Sequence, residues 1–399
     1  MDVAVNEPAV AIAGCGAITA LGIGIEPLQR ALPAGTSGLR NRECTVSKTR
    51  QAIIAGWVTG ETLDQLRASD PGHAGSRAFL FARAALKQAG QNAGNLLDSV
   101  PPSKRGLVLS TTKAGIDALE KLVRHQSCSP MAQRHIQPAW LAADLAVACA
   151  AGGPVQCVSA ACISGLLAIQ QGVALIRRNL ADVVFVAGVD LISDFVLSGF
   201  VSLKSLDPEG CRPFDKARIG LSLGEGAGAM VLVRRGLIAS PSVLVSGWGT
   251  SNDANHLTGP SRDGSGLVLA IFRALARAGV APDSIDYINA HGTGTPYNDN
   301  MEALALRAVF GRRVPPFSSS KGMLGHTLGA AGILETILCL AALQAQWLPG
   351  TPRLRERDPS APESLLDRSR PASGLRRILK INCGFGGTNG ALVLERELP

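Results

Sequence analysis

Gly228-Ala229-Met230-Val231-Leu232-Val233-Arg234 returns as Gly390-Ala391-Leu392-Val393-Leu394-Glu395-Arg396, with five of seven positions identical at an offset of 162 residues. Each copy reads as a β-strand and each ends a long half of the chain. A second echo is architectural: strand, small-residue loop, then glycine-containing helix, once around Cys162 and again around residues 321–333. Together they predict a duplicated fold whose boundary falls near residues 236–241, giving halves of residues 1–238 and 239–399.

Outward from these strands, short β-like runs alternate with Ala/Leu-rich helical runs almost to the end, an α/β pattern of sheets covered by helices. Strands are expected at 10–13, 106–109, 155–157, 183–187 and 229–233, then at 243–245, 287–289, 316–318, 379–382 and 391–394. Helices are expected at 76–88, 114–124, 163–178, 265–278, 300–309 and 330–346. The Pro/Arg-rich segment 353–373 reads as an exposed loop.

The 399 residues are 46% hydrophobic and 18% charged, which suits a compact protein with a large core and excludes a disordered one. The net charge of +8 suits an acidic partner. Nucleic acid is not expected, because there is no Lys/Arg block and no aromatic–basic interleaving. Nine cysteines, an odd number without CxxC pairs, read as mostly buried thiols of a reducing compartment. The longest apolar stretches are broken by Asp144 and Glu335, so no membrane span is expected. The first eight residues lack a signal-peptide pattern, and a cytoplasmic address is expected.

Three side chains carry the chemistry. Cys162 follows an apolar strand in Cys157-Val158-Ser159-Ala160-Ala161-Cys162-Ile163-Ser164-Gly165 and directly precedes a helix, where unpaired N–H groups favour a thiolate. An inert core cysteine fits the same window. His291 opens the loop His291-Gly292-Thr293-Gly294-Thr295, and a neutral imidazole there can donate Nε2–H to an enolate or thioester oxygen. Thr293 and Thr295 suit the amides of an elongated ligand, or simple turn chemistry. His326 lies five residues after Lys321, which sits among small residues in Ser318-Ser319-Ser320-Lys321-Gly322. If buried, Lys321 needs Glu335 as its partner and keeps a nearby imidazole neutral. No His/Cys cluster has zinc spacing, so no metal is expected. Gly384-Phe385-Gly386-Gly387-Thr388-Asn389 lacks the helix that a dinucleotide site needs.

In this order the motifs resemble the β-ketoacyl-acyl carrier protein synthases, elongating condensing enzymes of the thiolase superfamily. The match runs through Ala13-Gly14-Cys15-Gly16-Ala17-Ile18-Thr19, the Cys162 turn, Cys211-Arg212-Pro213-Phe214-Asp215 and Gly224-Glu225-Gly226-Ala227-Gly228. It closes on His291-Gly292-Thr293-Gly294-Thr295-Pro296, Lys321 with His326 and Glu335, and the Phe385 loop. The resemblance implies a thiolase-like fold, with two duplicated α/β halves in a five-layered αβαβα sandwich. It implies decarboxylative Claisen condensation of a Cys162 acyl thioester with malonyl-acyl carrier protein, in fatty-acid, polyketide or aryl-polyene synthesis. His291 and His326 would stabilise the enolate, with Lys321 and Glu335 as a supporting ion pair. The N–H groups of Cys162 and Phe385 would form the oxyanion hole, and Phe385 the gate. Thr293 and Thr295 would contact pantetheine, and Thr258 would sit on a mobile loop near that arm. No bound cofactor is implied, since 4'-phosphopantetheine arrives on the acyl carrier protein. The expected partner chain is a second copy or a ketosynthase-like subunit, in a homodimer or heterodimer.

Two departures bear on substrate. The family's fatty-acid builders carry a Gly-Ser-Gly type turn where this chain has Ser110-Thr111-Thr112-Lys113-Ala114-Gly115, and a Phe where Cys383 stands. The Thr-Thr-Lys form looks like ketosynthases of aryl-polyene and flexirubin-type pathways, with conjugated or aryl-capped primers. Pocket depth is expected to depend on residues 110–115 and 190–205 and on side chains across the dimer contact. Carrier docking is placed on Arg67, Arg124, Arg134 and Lys204. Two other readings stay open: a catalytically silent chain-length-factor-like subunit, and a thiolase acting on coenzyme A thioesters with Cys383 as its second cysteine.

Overall fold

The computed structural model describes residues 8–46, 49–73, 75–239 and 243–397. Residues 1–7 and 240–242 lie outside them, and with them the start examined for a signal peptide and part of the expected boundary, Pro241 included.

Ten strands form the frame. They are β1 (Val10–Thr19), β2 (Arg105–Ser110), β3 (Val155–Val158), β4 (Val183–Asp190), β5 (Gly226–Arg234), β6 (Val243–Asn252), β7 (Tyr287–Asn289), β8 (Phe317–Ser318), β9 (Arg377–Gly384) and β10 (Thr388–Arg396). Six helices cover them: α1 (Arg77–Asn92), α2 (Pro138–Ala148), α3 (Ser164–Arg177), α4 (Ser265–Ala278), α5 (Pro296–Phe310) and α6 (Ala331–Ala345). The first half runs β3-β2-β4-β5-β1 and the second β8-β7-β9-β10-β6, the same order twice. The halves join edge to edge where Ala11 and Ile12 of β1 pair with Leu244 and Val243 of β6. The echoed heptapeptides are β5 and β10, each the antiparallel neighbour of its half's first strand.

Side-chain alternation on these strands builds the layers, because successive residues point to opposite faces. On β4, Val184 and Val186 face the central core with Met230 and Leu232 of β5, against Leu166 and Ile169 of α3 and Ile333 and Ile337 of α6. Val183, Phe185 and Val231 face outward onto Phe79 and Phe81 of α1 and Leu145 of α2. In the second half Leu379, Ile381 and Val393 face Leu267 and Ile271 of α4 and Leu306 of α5. Helices, sheet, the α3/α6 pair, sheet and helices make five layers of a thiolase-like fold. Both faces of each sheet are buried, which is why the strands read as near-continuous apolar runs.

At the centre α3 and α6 touch backbone to backbone. A Cβ on Gly165 would lie 2.7 Å from Ile333 N, and one on Gly332 would lie 2.6 Å from Leu166 N. Only glycine permits that approach, and it sets the start of α3, with Cys162, against the segment leading into α6, with His326.

Several expectations are corrected. β1 and β6 run to residues 19 and 252, well beyond the apolar cores read from sequence, because small residues continue the pairing. The helix expected from 114 starts at Ile116, since Ala114 is left-handed (φ 45°). The hairpin Arg40–Val46/Thr49–Ala55, α2, and the helices Glu26–Ala34, Gly60–Ser69 and Asp194–Ser202 were not expected. The segment 353–373 is not simply exposed: Ala361, Leu365 and Leu366 are buried. Its backbone is pinned by Asp215, which accepts from Arg355 N–H (2.7 Å) and Glu356 N–H (3.0 Å). Of the nine cysteines, all free, four are buried rather than most, and Cys157 is exposed on edge strand β3. Among the described residues one run, Leu328–Ala345, is long and apolar enough to cross a membrane, and it is 89% buried as the central helix.

Candidate active site

Cys162 stands on a strained turn between β3 and α3. Ala161 is left-handed (φ 47°), which costs a non-glycine residue about 1 kcal/mol or more. The turn is tied by Ser164 Oγ, which accepts from Ala160 N–H (2.8 Å) and donates to the Ala161 carbonyl (2.6 Å). From the other half, β9 ends so close that a Cβ on Gly384 would lie 3.2 Å from Cys162 N. This brings the Phe385 backbone N–H onto the thiol.

His326 Nε2 lies 3.0 Å from Cys162 Sγ. Its backbone is clasped by the 222–224 segment, donating to the Ser222 carbonyl (2.7 Å) and accepting from Gly224 N–H (2.9 Å). The His291 ring meets His326 edge-on, 5.2 Å between centroids. Asn382 Nδ2 (2.9 Å) and Lys321 Nζ (3.3 Å) both approach His291 Nδ1. Both are donors, so Nδ1 accepts and Nε2 carries the proton, a tautomer assigned from its partners. Lys321 Nζ also donates to the His291 carbonyl (2.9 Å) and to Glu335 Oε1 (2.5 Å). The reactive atoms of Cys162, His291 and His326 all lie within 4.8 Å of one another, the one such group of three His, Cys, Asp or Glu among the described residues. It is also the set best able to hold a metal ion, but Lys321 beside it opposes a second cation.

Burial sets the protonation states. It pushes both imidazoles well below their ordinary range, with the Lys321 charge acting in the same direction, so both are neutral at pH 7. Burial likewise raises the Cys162 thiol, against the pull of Lys321 and the Phe385 N–H. The expectation that the helix start favours a thiolate is therefore outweighed, since a helix end contributes only about 0.3–1 kcal/mol. The resting thiol stays protonated, with His326 placed to take its proton. For Glu335, burial alone would raise the carboxyl, but Lys321 and Lys380 more than offset it and hold it at about 2.

Sequence reasoning missed three members of this network. Lys380 Nζ lies 2.9 Å from Glu335 Oε2, and Asn382 Nδ2 donates to the same oxygen (2.9 Å). A Lys and an Asn two apart in the apolar strand β9 share one face, and that spacing was the available signal. Glu302 on α5 takes the N–H groups of His291 and Gly292, each at 2.7 Å. Burial and the neighbouring Asp299 raise its carboxyl to about 7. Glu302→Gln keeps the size but turns a donor toward two backbone donors. Kinetics and thermal melts should show a ten- to hundredfold drop in turnover and about 1–3 kcal/mol of lost stability. An unchanged turnover would mean that Glu302 does not hold the His291 loop. Outside the network, Asp190, also missed, clamps residues 111–113.

Thr293 is buried and its hydroxyl meets that of Thr295 at 2.8 Å, both on the His291 loop. Thr258 is exposed, and its N–H (3.1 Å) and hydroxyl (3.5 Å) both meet His256 Nδ1. Its loop is nevertheless tethered to the Phe385 loop, through Gly386 N–H to the Leu257 carbonyl (2.7 Å). Phe385 stacks on Phe200, 6.0 Å between centroids. A cavity of about 310 Å³ opens beside Cys162, walled by Thr112, Lys113, Phe195, Phe200, Leu328 and Phe385. Both segments expected to set its depth, 110–115 and 190–205, contribute to its walls, joined by Leu328 and Phe385. A larger cavity, about 1030 Å³, is lined by Cys15, Asn92 and Gln344 and holds none of the convergent side chains. Cys383 is buried in the core of the second half and stands outside the Cys-His-His group. Of the docking candidates, Arg67, Arg124 and Arg134 are each paired with a carboxylate, Asp64, Asp194 and Asp144. Lys204 is exposed, with no ion-pair partner among the described residues.

With this geometry in place, comparison with known proteins agrees over the whole length. Residues 7–236 match the N-terminal domain of beta-ketoacyl synthase and residues 243–355 its C-terminal domain. The chain is 31% identical to 3-oxoacyl-[acyl-carrier-protein] synthase 2 of Vibrio cholerae, over 97% of this chain and 99% of that one. It is 32% identical to the tetracenomycin polyketide synthase ketoacyl synthase alpha subunit of Streptomyces glaucescens, over 98% and 97%. Among solved structures, the ketosynthase ApeO in complex with its chain length factor ApeC, from Xenorhabdus doucetiae, superposes with a TM-score of 0.87 at 29% identity, covering 100% of both chains.

Proposed function

The chain belongs to the beta-ketoacyl synthase family and is an acyltransferase, a β-ketoacyl synthase of fatty-acid or polyketide synthesis, and from that premise we propose how its own residues divide the reaction. An acyl carrier protein presents an acyl thioester on its pantetheine arm, along Thr293 and Thr295. Cys162 gives its proton to His326 Nε2, and the thiolate attacks the acyl carbonyl. The N–H groups of Cys162 and Phe385 receive the oxyanion, and the carrier thiol leaves with the proton. Malonyl-acyl carrier protein then takes its place. Its bond to the carboxylate breaks, CO2 leaves, and the enolate oxygen is held by His291 Nε2–H and by His326 in its Nε2–H tautomer, which is open to it because Nδ1 has no hydrogen-bond partner among the described residues. The enolate carbon attacks the Cys162 thioester, the carbon–sulfur bond breaks to leave the Cys162 thiolate, which regains a proton from solvent, and the 3-oxoacyl chain departs on the carrier.

The observation that carries this reading is the 3.0 Å Cys162–His326 contact beside a neutral His291 whose tautomer is fixed by Asn382 and Lys321. Neutral imidazoles suit a donor role, because a hydrogen bond forms to the developing enolate without a proton being lost. No bound cofactor enters the chemistry. The working unit is a dimer with a second copy or a ketosynthase-like subunit, as ApeO is seen with ApeC, in the cytoplasm. The Thr111-Thr112-Lys113 turn favours a pathway of the aryl-polyene or flexirubin type.

The test supplies acyl-acyl carrier protein and malonyl-acyl carrier protein and reads CO2 release and product mass. The expected product is the chain extended by one malonyl-derived unit. Activity only with coenzyme A thioesters would point to a thiolase instead, and no reaction with any primer to a silent subunit.

A further inference from the structure

Lys113 is the one charged side chain on the wall of the cavity beside Cys162. Buried Asp190 fixes where it stands. Its carboxylate accepts from Thr111 Oγ1 (3.0 Å), Thr112 Oγ1 (2.8 Å), and the N–H groups of Lys113 (3.3 Å) and Gly329 (2.7 Å). Asp190 is thus occupied with the turn itself. Lys113 Nζ makes one hydrogen bond, to Thr112 Oγ1 (2.8 Å), and no carboxylate lies within ion-pair distance of it among the described residues. An ammonium has three donors, so two remain for whatever enters the cavity.

The rest of the wall is apolar and aromatic, with Phe195, Phe200, Leu203 and Phe385. A plain alkyl chain shields those donors from solvent and offers nothing in return, which penalises its binding. A chain carrying an oxygen acceptor fills the same space and satisfies them. We propose that Lys113 is a specificity-determining residue, selecting acyl chains that carry a hydrogen-bond acceptor over plain alkyl chains of the same length. This rests on the reading that the cavity holds the acyl group of Cys162.

Lys113 also joins Lys321 in opposing the effect of burial on the Cys162 thiol, so its replacement alters loading for every chain. The ratio between chains, not the rate, is the readout. Wild type, Lys113→Met and Lys113→Arg are offered matched acyl carrier proteins, saturated or bearing one ketone walked along the chain, and initial acylation of Cys162 is followed by intact mass. Wild type should favour the ketone-bearing chain about tenfold at one position or more, the scale of one hydrogen bond to a charged group. Lys113→Met should bring the ratio near one, and Lys113→Arg should keep the preference. Equal ratios in wild type and Lys113→Met overturn this inference alone. No acylation with any chain overturns it together with the condensing-enzyme reading.

Discussion

Cys162→Ala is expected to abolish acyl loading while leaving decarboxylation of malonyl-acyl carrier protein measurable. In the proposed reaction the Cys162 sulfur is the one atom that bonds the chain, and removing a covalent nucleophile costs on the order of 10⁶-fold in turnover. The two imidazoles do not depend on it for their placement. His291 is held by Glu302, Asn382 and Lys321, and His326 by the backbone of residues 222 and 224. Decarboxylation by the variant should therefore stay within about tenfold of wild type, since the donors to the enolate remain. Measuring CO2 release and chain extension on the same sample separates the two steps. Loss of both together would show that the thiol and the imidazoles do not divide the work in this way.

The second large effect concerns Glu335, the only carboxylate that both Lys321 and Lys380 reach, all three buried among the described residues. Glu335→Leu leaves two ammonium groups buried without a counter-charge. Breaking a buried pair from one side costs about 3–5 kcal/mol, and a shared carboxylate places this case at the upper end. It also frees Asn382 and Lys321 from the positions that fix the His291 tautomer, so turnover should fall at least a hundredfold. Acid denaturation gives an independent readout. Glu335 is held at about 2 in the fold against an ordinary 4.5. A carboxyl held low adds stability above its unfolded value and gives it up as pH falls from there through its folded value. The contribution, on the order of 3 kcal/mol, should vanish between pH 4.5 and 2 in wild type and be missing from Glu335→Gln. An unchanged acid limb in that variant would remove the ion pair from the account.

What could be read from the sequence was what repeats or what is chemically unusual. The heptapeptide echo located β5 and β10, and so the duplication, because both strands are buried on two faces and tolerate few residue types. A further echo went unread. Gly14 and Gly16 on β1 meet Ala89 and Ala85 of α1, as Gly247 and Gly249 on β6 meet Ala274 and Ala270 of α4. Small residues carry little strand signal, and their meaning appears only when the covering helix is in place. Cys162, His291, His326 and Lys321 were named because each is an ionisable or nucleophilic group in a small-residue setting, and Glu335 because a buried Lys321 needs a carboxylate. Lys380, Asn382 and Glu302 were missed because each reads locally as an ordinary residue of a strand or helix, and acquires its role from a partner at least ten residues away. Thr258 was expected on a loop near the pantetheine arm, and that loop meets the Phe385 loop through Gly386 N–H and the Leu257 carbonyl.

The central claim is that Cys162 carries the growing chain. Wild-type protein is loaded from acyl-acyl carrier protein, digested, and the adduct located by peptide mass before and after a chase with malonyl-acyl carrier protein. The acyl mass should sit on the peptide containing Cys162, disappear on the chase, and return as an extended 3-oxoacyl chain on the carrier. An adduct on any other residue, Cys383 above all, or one that malonyl-acyl carrier protein fails to discharge, would contradict it.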